Sequence, residues 1–493
     1  MRVLDGDTGR VPAGKTKEYT FRRGDLVIQA RPFVAALQPQ LAGEYCDECM
    51  QPLSPAASQG VTRTKWNKTI RCQNCPFANY CSRQCQKAHS EYHEAVECAM
   101  LREFIPEIPD VTFRLFAKLL YKTHGRDFSE FSDELFTGEK RTFQDLLDHR
   151  ENIQQSPIVY TRFRTYLAFV LHTFPDNLRP DQDRALQIFG RMMINRFSVQ
   201  SAFLDPIGEA LYIGPSVHDH SCCPDAAFTF DGAQLSIRVT RDMTVSDPRQ
   251  VYICYMDVLQ PLSDRLSFLE DHYFFRCACL YCSDLQQPIN KISAVKETLR
   301  DSLRGSLQAC FRDRSEPDLV QLENVFDRAR SLIEADDSDE AVTCEVPTLK
   351  YWKIDALAVA FEAAERLTHK RYHEALTFGM RLLTLFRLTY GENRPCVSVL
   401  SLRLAAIFAE LVMFDVKEQR TILAVTEAEA AAEDKETTTT TATTTTTPLV
   451  DKCSQMVNEA LTRLTVTHGK THPLTQEAAA LACRVTAAAQ RVG

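Results

Sequence analysis

Cysteine is the residue type whose number and spacing point most directly to chemistry. The chain of 493 residues contains 18 cysteines, of which ten fall in two dense groups with C-x2-C and C-x-C spacings, and Cys222 stands apart as a further candidate ligand. Thiolates at such spacings are typical ligands of tetrahedral zinc. The first fifteen residues lack the apolar stretch of a secretory signal, so we expect a reducing compartment and no disulfide framework. We expect the remaining cysteines to be small buried hydrophobic residues: Cys223, Cys254, Cys310, Cys344, Cys396, Cys453 and Cys483.

The first group lies within residues 46–98 and offers eight thiol and imidazole ligands, enough for two zinc sites. These ligands are Cys46, Cys49, Cys72, Cys75, Cys81, Cys85, His93 and Cys98. Spacing alone allows the pairs to fill the two sites sequentially or interleaved, and it leaves His89 as an alternative to His93. Because protein ligands fill every position, both sites are structural, and the segment needs metal to fold.

Basic residues surround these ligands, and no acidic residue occurs between positions 61 and 87. They are Arg63, Lys65, Lys68, Arg71, Arg83 and Lys87, with Trp66 among them. Such a module could bind nucleic acid or a peptide, and the alternative is a solvated loop. The net charge of −8 argues against a chain built mainly to coat nucleic acid.

The second group supplies three ligands, Cys277, Cys279 and Cys282, so a fourth must come from elsewhere. The best donor is Cys222, in the segment His220-Ser221-Cys222-Cys223-Pro224, and Cys223 is the weaker alternative. A bond from position 222 to the loop near 280 would join two distant chain segments. A small zinc site can complete a binding pocket in this way.

The elements that must carry these residues follow from apolar periodicity. We expect strands around 26–28, 235–239 and 251–254, and helices over 158–174, 184–194, 356–367, 372–390, 397–413 and 452–466. With 44% apolar and 25% charged residues the chain is globular, in about three or four domains, and neither disordered, collagen-like nor coiled-coil. No run of about 18 apolar residues occurs, so we expect no membrane-spanning helix.

The last two hundred residues are almost entirely helical in pattern. Tyr390-Gly391 with Pro395 is echoed 78 residues later by His468-Gly469 with Pro473, as in an array of helix pairs of the tetratricopeptide kind. The threonine-rich stretch near 427–448 is expected to be a disordered insertion, with a modified or regulatory segment as the alternative.

Four ordered motifs resemble the SET- and MYND-domain (SMYD) lysine methyltransferases over nearly the whole chain. They are Leu211-Tyr212 with Asp219-His220-Ser221-Cys222-Cys223-Pro224-Asp225, then Ile253-Cys254-Tyr255-Met256-Asp257, then Tyr273-Phe274-Phe275-Arg276-Cys277-Ala278-Cys279, and the cysteine-rich segment 46–98, which resembles a MYND zinc module. Val466-Thr467-His468-Gly469 resembles a motif of that family's helical C-terminal domain.

The resemblance implies an α+β chain: a split SET-domain β-fold with an inserted MYND module, a post-SET zinc site and an all-α, tetratricopeptide-like C-terminal domain. The expected boundaries are 1–45 for the first SET part, 46–98 for the MYND module, 99–190 for a helical insertion, 191–262 for the SET core, 263–285 for the post-SET segment and 286–493 for the helical domain. It also implies interleaved zinc ligands: Cys46, Cys49, Cys81 and Cys85 for one ion, and Cys72, Cys75, His93 and Cys98 for the other.

The resemblance further implies transfer of a methyl group from S-adenosylmethionine to protein lysines, and three zinc ions per chain. Tyr255 matches the tyrosine at the transfer centre, and Phe197 and Tyr273 match the aromatic residues of the lysine channel. Cofactor contacts are implied for Asn195, Asp219, His220, Phe275 and His149, with His220 acting mainly through its backbone. Gly6 to Arg10 resembles the family's glycine-bearing cofactor loop.

Two residues depart from the family pattern, because Asp219 and Asp225 stand where the family has asparagine. An ionised carboxylate only accepts hydrogen bonds, whereas an amide also donates. Asp219 therefore favours the cofactor if it faces an ammonium group and repels the cofactor if it faces a carboxylate.

Three hypotheses follow: an active lysine methyltransferase, an inactive SET scaffold that recruits partners, and a zinc-dependent DNA-binding regulator. The resemblance also implies protein substrates, histone or not, proline-rich peptides on the MYND module and heat-shock chaperone tails on the helical domain. Cytoplasmic and nuclear location, no membrane and little nucleic-acid binding complete these expectations.

Overall fold

A computed structural model describes residues 18–55, 57–58, 68–260, 262–283, 302–307, 309–310, 318–340, 351–367, 371–413 and 447–492. The strands are β1 (Tyr19–Phe21), β2 (Leu26–Ala30), β3 (Val34–Leu37), β4 (Ile70–Arg71), β5 (Asn79–Tyr80), β6 (Ser132–Glu134), β7 (Lys140–Thr142), β8 (Arg196–Gln200), β9 (Pro206–Leu211), β10 (Ala226–Asp231), β11 (Gln234–Val239) and β12 (Met243–Val245).

The first helices are α1 (Arg83–Tyr92), α2 (Cys98–Glu103), α3 (Val111–Thr123), α4 (Arg150–Gln155), α5 (Pro157–Thr173), α6 (Gln182–Asn195), α7 (Leu262–Tyr273) and α8 (Leu280–Ser283). Longer helices follow at Leu319–Glu340, Tyr351–Arg366, Tyr372–Tyr390, Pro395–Met413, Thr447–Thr467 and Pro473–Val492. The expected helices are all present. The strand expected over 251–254 is wrong, since this segment makes only an isolated bridge from Ile253 to His220.

The chain folds into two units, one of residues 1–255, 266–281 and 466–474, the other of residues 256–265, 282–465 and 475–493. The sheets of the first unit join the two ends of a long insertion. Strand β2 pairs with β11, β3 with β9 and β1 with β12, all antiparallel. The N-terminal strands therefore pair with strands well over a hundred residues later, which is the split β-fold expected.

Two apolar cores fill the first unit. One lies in the sheets and contains residues such as Leu37, Tyr212 and Ile237. The other surrounds α3, α5 and α6, and the zinc module packs on it through Tyr80 and Tyr92. The cores bury apolar side chains from the sheet strands and from the helices between them, which fixes the sheets against the helices.

Helix α3 joins these parts. Asp110 caps its first turn by accepting from the Phe113 amide at 2.9 Å. Its face carries two buried cations: Arg114 donates to the carbonyl of Leu37 at 2.7 Å, and Lys118 donates to that of Ala35 at 3.0 Å. These bonds tie the helix to strand β3.

All the regular secondary structure among the described residues of the second unit is helical. Its helix Pro395–Met413 contains the one described window, Pro395–Val412, that is long and apolar enough to cross a membrane. Because 67% of that window is buried inside the protein, the helix serves here as a core helix. The repeated glycines mark helix ends: Gly391 and Gly469 have φ of 82° and 86°, and the next helices begin at Pro395 and Pro473.

Several expectations fall outside the described residues: the loop from Gly6 to Arg10, Arg63, Lys65 and Trp66, Cys344 and most of the threonine-rich stretch. Among the scattered cysteines, Cys310 and Cys453 are buried as expected, whereas Cys223 and Cys483 are exposed, so the expectation of burial is wrong for these two.

Candidate functional site

The thiols of the first group come together in two interleaved sets. Cys46, Cys49, Cys81 and Cys85 present sulphur atoms within 4.8 Å of one another. The hairpin β4–β5 and the start of α1 deliver the last two of these residues, and Ser82 caps α1 by accepting from the Cys85 amide at 3.2 Å. Ligands of the two sets therefore alternate along the chain, an arrangement that spacing alone left open.

The second set comprises Cys72, Cys75, His93 and Cys98. His93 Nε2 lies 3.6 Å from Cys75 Sγ and 3.3 Å from Cys72 Sγ. The alternative ligand His89 instead contacts the Tyr80 hydroxyl at 3.1 Å through Nδ1, and its Nε2 lies 3.1 Å from Glu97. The geometry therefore favours His93 over His89 as the imidazole in the thiol set.

The distances fit zinc. Zn–S bonds of about 2.3 Å in a tetrahedron place the sulphur atoms about 3.8 Å apart. The Cys49–Cys81 and Cys81–Cys85 sulphur pairs are each 3.6 Å apart, and the Cys72–Cys98 pair is 3.9 Å apart. A disulfide needs about 2.0 Å, so these thiols are arranged as ligands and not as cystines.

A buried carboxylate supports the second set. Glu97 Oε2 lies 2.9 Å from His93 Nδ1, and its Oε1 accepts from Arg114 at 3.0 Å. Burial opposes ionisation of Glu97, but Lys118, His89 and Arg114 hold its pKa well below the ordinary value. A carboxylate behind a ligand histidine fixes the ring orientation.

The third set joins distant segments. The sulphur atoms of Cys222, Cys277 and Cys279 lie within 4.8 Å of one another, and the fourth candidate ligand, Cys282, follows three residues after Cys279. Cys222 is buried while Cys223 is exposed. The set thus contains Cys222, the better of the two expected donors, and its composition suits zinc.

Tyr255 lies beside this third set and is held at both ends. Its hydroxyl donates to the His218 carbonyl at 2.6 Å, and its backbone amide donates to His220 Nδ1 at 3.0 Å. The carbonyl of Ile253 accepts from the Ser221 amide at 2.9 Å, which locks the two segments together. The position of the phenol is therefore fixed by the backbone of a neighbouring loop.

Aromatic rings surround Tyr255. The Tyr273 ring centroid lies 4.8 Å from that of Tyr255, and the His220 ring lies 5.2 Å from Tyr255 and 6.1 Å from Phe275. Burial raises the pKa of Tyr255 and of Tyr273 above their ordinary values, so both phenols are neutral at physiological pH. These four residues form the tyrosine cluster: His220, Tyr255, Tyr273 and Phe275.

Phe197 packs elsewhere in the sheet core. Its ring stands edge-on to Tyr212 at 5.5 Å and to Phe228 at 5.6 Å. These contacts belong to the β-core, and a role in a lysine channel stays a prediction.

Asn195 and His149 lie at helix ends. Asn195 closes α6, and its amide nitrogen donates to the carbonyl oxygens of Leu147 at 3.0 Å and Arg191 at 2.8 Å. His149 precedes α4 with φ of 42°, and its ring lies 5.5 Å from Phe274. The Leu147 carbonyl thus ties Asn195 to the segment that carries His149. Cofactor contacts by either residue stay predictions.

The two aspartates that depart from the family pattern have different surroundings. Asp225 is 4% exposed and accepts from Arg241 Nε at 2.9 Å, so its charge is offset and its role is structural. Asp219 is exposed, and it interacts electrostatically with Arg141, Arg249 and Tyr255.

Sequence reasoning missed Arg141, the His218 carbonyl and Glu97. Arg141 sits on β7, in a hairpin whose Asp133 accepts from the Gly214 amide at 2.9 Å. Its Nε is buried with no hydrogen-bond partner among the described residues. Only the spacing of four between His93 and Glu97 gave a local signal for any of the three.

Comparison with known proteins agrees with this geometry. The family model of the MYND finger matches residues 46–98. The chain is 23% identical to the histone-lysine N-methyltransferase SMYD3 of Mus musculus over 80% of this chain and 85% of that protein. It is 26% identical to the N-lysine methyltransferase SMYD2 of Bos taurus over 58% of this chain and 62% of that protein.

The MYND finger, the split sheet joined by a long insertion, the third thiol set and the all-helical C-terminal region occur together in one chain. Relatives that align with 80% of this chain are histone-lysine N-methyltransferases by name. The chain is therefore similar over most of its length to the SET- and MYND-domain (SMYD) protein-lysine methyltransferases, and its residues 46–98 match the MYND finger.

Proposed function

We propose that this protein transfers a methyl group from S-adenosylmethionine to the side-chain amine of lysine in protein substrates. The observation that carries the proposal is the fixed, neutral phenol of Tyr255 within the tyrosine cluster. The names of the relatives support the reaction class.

The residues near Tyr255 suit the chemical groups of S-adenosylmethionine. The faces of aromatic rings attract a sulfonium cation, and the tyrosine cluster offers several such faces. An exposed carboxylate, Asp219, suits an ammonium group, and the buried Nε of Arg141, which has no hydrogen-bond partner among the described residues, suits a carboxylate. Opposite charges side by side suit the zwitterionic amino-acid end of this cofactor, which when bound supplies the electrophilic methyl group.

The hydroxyl proton of Tyr255 is committed to the His218 carbonyl. The phenol oxygen therefore presents lone pairs, which can accept from the incoming lysine amine and orient it for in-line attack. Since the pKa of Tyr255 is raised, its phenol is no general base, and the proton of lysine must leave through water.

The lysine must lose that proton before it attacks. At a reference pKa near 10.4, roughly one lysine in a thousand is neutral at physiological pH, a cost of about 4 kcal/mol. Buried aromatic walls lower the pKa of an ammonium group by desolvation, and a neighbouring sulfonium lowers it further by charge repulsion. The tyrosine cluster supplies the apolar surroundings for this shift.

The alternative is a catalytically weak SET scaffold that recruits partners through its MYND and helical domains. The observation that favours it is Asp219, which would repel the cofactor carboxylate if that group lay next to it. The residues Lys68, Arg71, Arg83 and Lys87 are exposed and suit an acidic or peptide partner on the zinc module. For the enzyme we propose histone and non-histone substrates. For either function we propose proline-rich peptides and chaperone tails as partners, and a nuclear and cytoplasmic location.

Calorimetric titration of the zinc-loaded protein with S-adenosylmethionine separates the two functions. Micromolar binding, followed by transfer of labelled methyl groups to histones or a lysine peptide array, supports the enzyme. A folded protein that binds no cofactor up to millimolar concentration contradicts the enzyme and supports the scaffold.

A further inference from the structure

The imidazole of His220 lies between the third thiol set and Tyr255. On one side, its Nε2 is 3.3 Å from Cys222 Sγ. On the other side, its Nδ1 accepts the backbone N–H of Tyr255 at 3.0 Å. The residue is 8% exposed, so neither contact competes with much solvent.

These two contacts fix the tautomer of the ring. A backbone amide only donates, so Nδ1 of His220 carries no proton and the ring proton resides on Nε2. There it faces the sulphur of Cys222, and the thiols of Cys254 and Cys277 also interact with this ring. A metal-bound thiolate is a good acceptor for such a proton, and outer-shell donors of this kind stabilise metal ligands.

The backbone around this ring admits few other arrangements. Ile253 donates through its amide to the Asp219 carbonyl at 3.0 Å, while the Ser221 amide donates back to the Ile253 carbonyl at 2.9 Å. The bond from the Tyr255 amide to the His220 ring adds a further link between these two segments, beyond the backbone bonds of Ile253. Loss of the ring would leave the Tyr255 amide without its acceptor at the point where the segment stops pairing.

We infer that His220 is a positioning residue that couples the zinc-thiolate set containing Cys222 to the backbone of Tyr255. It donates from Nε2 to the thiolate and accepts at Nδ1 from Tyr255, so the bound metal sets the ring orientation and the ring sets the tyrosine. This inference assigns a role to the side chain of His220 rather than its backbone. Its effect on turnover rests on the proposed function, whereas its effect on metal binding does not.

Two substitutions separate the two contacts. His220→Asn places a carbonyl oxygen near the position of Nδ1 and lacks the reach to Cys222. His220→Gln places an amide donor near the position of Nε2 and removes the acceptor for Tyr255. The matched control is His172→Asn, because His172 is exposed and pairs only with Glu103 among the described residues. Circular dichroism checks that each variant folds.

The first measurement is zinc release from the full-length protein to a chromogenic chelator. We expect His220→Asn to release one zinc per chain at least tenfold faster than wild type, while the other two leave at wild-type rates. His220→Gln and the control should keep all three release rates within about twofold. A wild-type release profile for His220→Asn, or equal acceleration of all three ions, overturns the link to the thiolate.

The second measurement monitors the surroundings of Tyr255 by fluorine resonance and does not depend on turnover. In protein labelled with fluorotyrosine, the resonance of Tyr255 is identified among the 15 tyrosines by its loss in Tyr255→Phe. We expect this resonance to shift in His220→Gln and to stay near its wild-type position in His220→Asn. If neither variant moves it, or both move it equally, the link to Tyr255 is overturned.

Turnover completes the test. We expect His220→Gln to lower kcat at least tenfold with the KM for S-adenosylmethionine within threefold, and His220→Asn to lower kcat much less. If both variants lower kcat and raise the KM for S-adenosylmethionine to the same extent, the role of His220 is merely structural. If wild type itself transfers no methyl group, the proposed function fails, while zinc release and the fluorine resonance still decide the role of His220.

Discussion

The hydroxyl of Tyr255 donates a hydrogen bond of 2.6 Å to the carbonyl oxygen of His218, 37 residues earlier in the chain. Two residues further along the same loop, His220 accepts a hydrogen bond from the Tyr255 backbone amide. One loop therefore holds both ends of one tyrosine, and the phenol oxygen is left with its lone pairs to offer.

Removing that oxygen should strongly reduce turnover with little loss of stability. We expect Tyr255→Phe to lower kcat well over tenfold, because the lone pairs that orient the lysine amine disappear. The free energy of unfolding should fall by only about 1 kcal/mol, the net value of one hydrogen bond. Methyl-transfer kinetics and urea unfolding measure the two effects. Tyr252→Phe, at an exposed position of the same segment, is the matched control, and unchanged turnover in Tyr255→Phe would refute the assigned role.

The charge at Asp219 should favour cofactor binding. We expect Asp219→Asn to weaken S-adenosylmethionine binding about tenfold, or about 1.4 kcal/mol, because the ammonium group loses its carboxylate partner. Calorimetry measures the affinity, and methylthioadenosine, which lacks the amino-acid end, should bind both proteins equally. Tighter binding of S-adenosylmethionine to Asp219→Asn would mean that Asp219 repels the cofactor carboxylate.

The first unit should lose stability in mild acid through His218. Burial lowers the pKa of this histidine to about 4, and its Nδ1 donates to the Val251 carbonyl at 3.0 Å. The unfolded chain, with a histidine pKa near 6.5, binds the proton first, so the contribution is complete above about pH 6.5 and is lost as the pH falls towards 4.

At pH 5 this single group should cost about 2 kcal/mol of unfolding free energy relative to pH 7.5. Between pH 7.5 and pH 5, the unfolding free energy of His218→Asn should therefore fall by about 2 kcal/mol less than that of wild type. Urea unfolding at both pH values measures this difference. Protonation of zinc ligands affects both proteins alike and cancels in the difference. Parallel losses in wild type and variant would contradict the buried neutral histidine, and exposed His172→Asn should behave as wild type.

Zinc affinity at the second thiol set should depend on Glu97. We expect Glu97→Gln to accelerate the release of one of three zinc ions by 10- to 100-fold, since an amide orients and polarises the His93 ring less than a carboxylate does. Elemental analysis fixes the starting content at three per chain, and a chelator assay follows the release. Glu94→Gln, in the same helical turn but exposed, is the control. A starting content of two would remove one of the sites.

The sequence by itself determined much of the zinc chemistry. Ligands such as Cys72 and Cys75 or Cys277 and Cys279 lie a few residues apart, so their type and spacing are readable in a short window. Helices such as Pro157–Thr173 and Tyr372–Tyr390 follow from local periodicity in the same way. The motifs around Cys222 and Tyr255 were equally visible, and through the resemblance they indicated the family.

Only the tertiary structure decided which groups meet. It placed His93 rather than His89 in the thiol set, although both lie on one helical stretch with Glu97 in reach. The segment with Val251 looked like a strand, yet its partner is a loop, so pairing rather than propensity set its conformation. The tertiary structure also brought Arg141 near Asp219 and the His218 carbonyl to Tyr255. A backbone carbonyl is the same in every residue, and contacts across many intervening residues depend on packing, so neither leaves a mark in the local sequence.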